Sequence, residues 1–183
     1  MTDARMPGPS SPVEHATVER LTHYTRADQE DILGAGGDPF GVAHTGLTWL
    51  PKDLHVGVRL DGRLVAHAGL RRIPVRLGGA ATEVIGVGGV AVAPDVRGRG
   101  LARTVVTSAL DHARTTGPSY GLLFCRPELV ALYRRLGRRT VDREVLVEQP
   151  EGPVVMPLRT MWTPLRDGAP APGGEVRLRS YPM

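Results

Sequence analysis

The sequence predicts an α/β protein built on one mixed, mainly antiparallel central sheet flanked by helices. Three observations carry that expectation. Residues 55–92 read as three consecutive strands joined by tight turns. A glycine-bearing loop at 97–100 then leads from the last of them into a helix. A strand, a second helix and further alternating segments follow. Antiparallel hairpins followed by a strand–helix–strand unit place a parallel pair beside the loop.

Length and composition bound the rest. The 183 residues suffice for one domain with a substantial core, expected over residues 14–183. The apolar share of 41% is ordinary for a globular chain. No segment reaches the roughly 18 apolar residues of a membrane span. The first 15 residues lack the apolar stretch of a secretory signal. Cys125 is the only cysteine, so no disulfide forms within the chain, and a cytoplasmic location is the simplest fit. The formal charge is +4, nearly all of it arginine, and Lys52 is the only lysine. A basic surface suits an anionic ligand. Nucleic acid is disfavoured because aromatics make up only 4% of the chain.

The elements follow in order. Residues 1–13 are rich in Pro, Gly and Ser and read as a disordered tail. Residues 17–21 could form a first strand. Thr25 and Asp28 are N-cap candidates for a helix ending near Leu33. Glycines and Pro39 break the chain over 34–41, and 40–51 shows no clear period. Asp31 and Asp38 lie in this most acidic region. It reads either as a solvated face or as a wall that attracts a cationic amine.

Residues 55–60 alternate as a strand, and Asp61-Gly62 is a hairpin turn. Residues 63–77 return, with Pro74 predicting a bulge or an edge position. Gly78-Gly79 turns the chain into a third strand over 80–92. Its glycines at 86, 88 and 89 weaken a strand unless something must approach it closely. His67 reads as a packed or hydrogen-bonded histidine of the middle strand, with a base role as the alternative.

Pro94 ends the third strand, and a helix is expected from Gly100 to about Thr116. Residues 120–125 form an apolar run of strand length. Pro127 favours a helix start, and that helix should run to Leu136 with Gly137 as its cap. Alternation predicts further strands over 140–148, 154–162 and 175–179.

The loop at 97–100 has the chemistry of a phosphate site. A helix N-terminus offers unpaired N–H groups and the positive end of its dipole. Gly98 and Gly100 allow positive φ and close approach of a ligand to the backbone. Arg97 and Arg99 add positive charge.

The run Arg97, Gly98, Arg99, Gly100, Leu101, Ala102, placed after the strand ending in Val90, Ala91 and Val92, resembles the loop of the GNAT family of N-acetyltransferases. The strand at 122–125 and the helix at 127–137 continue the resemblance, which covers roughly residues 54–148. It implies a GNAT-like fold and acetyl-CoA as acyl donor, with no metal. It implies that the 97–102 backbone holds the pyrophosphate and that Val90, Ala91 and Val92 pair with the pantetheine arm. Tyr133 matches the family's general acid, with a core role for its ring as the alternative. Cys125 reads as a buried strand residue.

Within the family, residues 63–68, the Arg71-Arg72 pair, and the patterns at 154–158 and 173–178 resemble aminoglycoside 2'-N-acetyltransferases. That implies an aminoglycoside or related amino sugar as acceptor, with antibiotic resistance as a role. Another small-molecule or peptide amine, or CoA binding without catalysis, remains the alternative. The relatives' glutamate base falls at Gly88 here. Glu83, His67 or a carboxylate at Met183 are the replacement candidates. Asp31, Asp38 and Met183 are candidates for the acceptor site, and a homodimer is the family-based expectation.

Overall fold

The computed structural model describes residues 16–183, so the tail expected at 1–13 lies outside the described residues. The chain runs through β1 (Ala16–Leu21), α1 (Arg26–Leu33), β2 (Leu54–Leu60), β3 (Arg63–Leu77) and β4 (Ala80–Val92). It continues through α2 (Leu101–Arg114), β5 (Tyr120–Cys125), α3 (Val130–Arg135), β6 (Arg139–Thr140) and β7 (Val145–Val147). It ends in β8 (Val154–Val155), β9 (Arg159–Pro164) and β10 (Val176–Leu178). This is the expected mixed α/β architecture.

The strands form one sheet in the order β6-β9-β5-β4-β3-β10-β7-β8, with β2 also on β3 and β1 on the outer side of β2. Tight turns at Asp61-Gly62 and Gly78-Gly79 make β2, β3 and β4 an antiparallel meander. β4 and β5 are parallel, and their pairing is confined to Ile85 opposite Gly121 and Gly86 opposite Leu122. Beyond Gly86 the two strands part. That divergence opens the centre of the sheet.

α2 covers one face. Leu101, Val105, Val106, Ala109, Leu110 and Ala113 recur at helical spacing and are all buried. They pack with Val58, Val65 and Ala66 of the meander. Each large apolar side chain so buried stabilises the fold by about 1.5–3 kcal/mol. A second cluster, including Ile73, Val84, Val145, Trp162 and Leu178, fills the other face. α1 begins with a capping box: Thr25 Oγ1 accepts from Asp28 N–H, and Asp28 accepts from Thr25 N–H. Thr25 is thus the cap, and Asp28 completes it from inside the helix.

Four expectations are corrected. The strand expected over 140–148 is two short ones with different neighbours, β6 on β9 and β7 on β10 and β8. The exposed polar pair Asp142 and Arg143 separates them. The strand expected over 154–162 likewise divides into β8 and β9 around Pro157, which has no N–H for a ladder. Pro74 marks no bulge: its register with Glu83 is regular, and its carbonyl accepts from Arg179 N–H beyond the end of β10. The irregularity in the β3–β4 ladder lies at Gly89, where residues 67–69 oppose 91–88. The second helix opens as a 3-10 turn, Pro127–Leu129, before α3.

Candidate active site

The bulge in β4 is the centre of the site. Gly89 has φ +59, a conformation other residues adopt only with strain. A bulge takes its residues out of the ladder, so the Gly89 carbonyl needs another partner. His67 Nδ1 lies 2.7 Å from that oxygen. The oxygen can only accept, so Nδ1 carries the proton. Burial lowers the His67 pKa to about 4, which keeps the ring neutral. Its Nε2 must then accept, and His55 Nδ1, 2.9 Å away, donates to it. Tyr24 stacks on the His67 ring at 3.6 Å and fixes its plane. With both nitrogens engaged and the residue 1% exposed, His67 is not placed to act as a base.

Two cavities open where β4 leaves β5. The first, of about 590 Å³, runs from Val90, Ala91 and Val92 to Gly98, Gly100 and the first turn of α2. Gly100 caps α2 in the left-handed region at φ +81, with no side-chain hydrogen bond to the helix N-terminus. The first intrahelical bond is donated by Thr104 N–H. The N–H groups of Leu101, Ala102 and Arg103 therefore have no helical acceptor, and these three residues line the cavity. Nothing lies within 4 Å of a Cβ built on Gly98 or Gly100, so the loop is an open cradle. Arg97, Arg103, Arg126 and Arg135 add positive charge to its walls. An anion with an elongated apolar arm fits this lining.

The second cavity, of about 300 Å³, lies beyond the bulge. Phe40, Val90, Arg126, Leu129 and Tyr133 line both cavities and form their common wall. Tyr133 is 8% exposed, and burial followed by the nearby Cys125 raises its pKa to about 12, so it stays protonated. Cys125 is buried, its thiol is pushed up to about 11 by burial, and its Sγ lies 3.8 Å from Met161 Sδ. It is a packed thiol and not an activated one.

The floor of the second cavity explains the glycines of β3 and β4. A Cβ on Gly69 would collide with the stem of Lys52. One on Gly88 would come within 2.9 Å of Lys52 Cε, and one on Gly86 within 2.6 Å of Met183 Sδ. The groups that approach the strand are thus Lys52 and Met183 of the chain itself. Burial, with Arg71 nearby, lowers the Lys52 pKa to about 8.

Residues 48–140 match the family described as the acetyltransferase (GNAT) domain, half of the chain. The chain belongs to the GNAT acetyltransferase family. Membership makes it an acetyl-CoA-dependent N-acetyltransferase. Among curated protein sequences, none matches significantly. The fold is similar to that of a GNAT family N-acetyltransferase from Escherichia coli solved with CoA. That likeness has 19% identity, covers 94% of each chain and has a TM-score of 0.61. A GNAT acetyltransferase from Brucella melitensis in complex with acetyl-CoA is 19% identical over 88% of this chain and 94% of its own, with a TM-score of 0.52. The ribosomal-protein-S18-alanine N-acetyltransferase of Escherichia coli is 18% identical over 86% and 98%, with a TM-score of 0.53. These likenesses show the fold.

Within this GNAT domain the sequence-predicted residues separate into two groups. Val90, Ala91, Val92, Arg97, Gly98, Gly100, Leu101, Ala102 and Tyr133 line the first cavity together. Arg97 also donates from Nε to the Val92 carbonyl, which ties the loop to the strand end. Met183 lines the second cavity. The other group lies elsewhere. Arg99 is exposed and outside both linings. Glu83 pairs with Arg72 at 2.7 Å, and Arg72 also donates to the carbonyl of Thr116, two residues past the end of α2. Glu83 is five residues from Gly88, about 17 Å along the strand, and clamps the sheet to the helix. Asp31 is exposed on α1. Asp38 accepts from Val42 N–H and Ala43 N–H, holding the loop that brings Phe40 to the cavity. Lys52 was not among the sequence-predicted site residues. Its only trace in the sequence is the set of glycines that make room for it.

No helix among the described residues is long and apolar enough to cross a membrane, and no group of ligating side chains there could hold a metal ion.

Proposed function

We propose that residues 14–183 form one acetyltransferase domain that moves the acetyl group of acetyl-CoA to a primary amine on a small acceptor. The supporting observation is the uncapped start of α2, behind two left-handed glycines, opening onto a cavity that shares Tyr133 with a second, smaller one. The N–H groups of Leu101 and Ala102, with the loop from Arg97 to Gly100, take the pyrophosphate. The edge of β4 at Val90, Ala91 and Val92 takes the pantetheine arm. The thioester then reaches the bulge. Acetyl-CoA supplies the activated acyl group, and the acceptor amine attacks it directly from the second cavity. Tyr133, protonated and at the common wall, gives its proton to the departing sulfur.

The acceptor is small. About 300 Å³ holds one sugar ring or a comparable amine more readily than a multi-ring drug. The side chains that line the second cavity include the cations Lys52 and Arg126, and the Met183 main-chain oxygen lies 3.3 Å from the Cβ position of Gly88. The two cations disfavour a polycationic aminoglycoside more than an acceptor with a single amine. The aminoglycoside reading rests on the resemblance at residues 63–68, 154–158 and 173–178. Thiol release from acetyl-CoA against aminoglycosides, monocyclic amino sugars, simple amines and peptide N-termini separates these acceptors. CoA binding with no thiol release from any of them would support a binding module without catalysis.

A further inference from the structure

We propose that Lys52 is itself an acetyl acceptor, so that the protein acetylates its own second cavity when no other amine occupies it. The proposal rests on acetyl-CoA binding as described above. Lys52 is the only lysine in the chain. Its stem lies across Gly69 and Gly88, and its Nζ would be 3.2 Å from a Cβ on Gly88, one residue before the bulge. It shares the small cavity with Tyr133, Val90 and Cys125, where the thioester arrives from the other side.

The surroundings are those of an activated lysine. Desolvation in a largely apolar pocket and a neighbouring cation are the two means by which a lysine is made nucleophilic. Lys52 has both, burial and Arg71. No hydrogen bond or ion pair holds its ammonium among the described residues. At pH 8 it presents roughly a hundredfold more neutral amine than an ordinary lysine.

The step balances. The Nζ lone pair forms a C–N bond to the thioester carbonyl carbon as the C–S bond breaks. Nζ loses one proton to water. The sulfur takes one from the Tyr133 hydroxyl, which water restores. The products are Nε-acetyl-Lys52 and CoA with a free thiol. The amide is stable, so the group is not passed on. It removes the charge and fills the cavity, which makes the reaction self-limiting.

The full-length protein incubated with acetyl-CoA alone at pH 8 tests this by intact mass and peptide mapping. The α-amino terminus serves as the internal reference for uncatalysed acetylation. We expect one acetyl group on Lys52, loss of tryptic cleavage there, and a rate at least about tenfold above that of the α-amine. Excess CoA should suppress it. The Lys52→Arg protein should gain no acetyl group inside the fold. Absence of the mark while calorimetry shows CoA bound overturns the proposal, as does a rate equal to the α-amine and indifferent to CoA. Absence of CoA binding overturns the proposed function along with it.

Discussion

Lys52 carries its charge at an energetic penalty, and the sign of that penalty is measurable. Its pKa is lowered from 10.5 to about 8 by burial and Arg71. Below pH 8 both folded and unfolded chains hold the proton, and the folded chain bears the full penalty. Between about 8 and 10.5 only the unfolded chain holds it, so stability gained from Lys52 rises with pH across that window. The Lys52→Met protein should therefore melt higher than the parent at pH 7, and the gain should shrink above pH 8. An equal or lower melting temperature at pH 7 would reject the buried charge. Because the chain has one lysine, its Cε resonance gives the pKa directly, with a midpoint near 8 expected. Tyr133 is the second residue with a defined expectation. The Tyr133→Phe protein should bind CoA as before and lose about a hundredfold in kcat, the lower end of what a positioned proton donor supplies. Unchanged kcat at saturating substrates would return Tyr133 to a packing role.

At the scale of the element, the β4 bulge depends on a contact from the neighbouring strand. His67 supplies the donor that the Gly89 carbonyl lost when it left the ladder, and His55 and Tyr24 hold His67 in place. Replacing the ring by an apolar side chain removes the donor to a half-buried carbonyl, at about 1 kcal/mol. The His67→Leu protein should bind CoA more weakly and turn over more slowly. The His67→Asn protein, whose amide can donate from nearly the same point, should recover both. Equal losses in the two variants would mean that ring packing alone matters. The loop before α2 permits a separate test. Gly100→Val places a β-branched residue at φ +81 and a side chain in the open cradle. CoA affinity should fall more than tenfold by calorimetry, and retained affinity would move the pyrophosphate elsewhere.

These elements differ in how far the chain disclosed them. β3, β4 and β5 have the bounds that turn residues and alternation predict, because Asp61-Gly62, Gly78-Gly79 and Pro94 mark the ends of the first two locally, and Gly117-Pro118 and Pro127 flank the third. The glycine loop and α2 were legible for the same reason. The bulge at Gly89 was not, since Pro74 carried the stronger local signal and register is decided between strands. β6 to β9 were overrun by continuous alternation that does not say which neighbour each half joins.

Across the whole molecule, the unread part of the site is the part assembled from distant segments. Lys52 arrives from the loop before β2 and Met183 from beyond β10, and Leu50 N–H bonds to the Pro182 carbonyl to hold the two segments together. No local pattern joins residues so far apart. The first cavity, by contrast, draws half of its lining from one continuous strand–loop–helix stretch, residues 90–103, which local pattern discloses; Phe40 and the residues from Arg126 to Leu136 complete it from elsewhere. The same architecture fixes how the fold should respond to ligand. A group bound across β4 and the start of α2 ties the meander to the covering helix, so binding belongs to the folded state alone. At one hundred times its dissociation constant, CoA should add about 2.7 kcal/mol to stability. For a domain of this size that is a rise of about 5–10 °C in melting temperature. The Gly100→Val protein should lose most of this rise, whereas Glu83→Gln, which breaks only the clamp to Arg72, should melt lower but keep the full increment. If CoA raised both variants equally, the ligand would not be held at the N-terminus of α2. If Glu83→Gln lost the increment, the clamp would be part of the site after all.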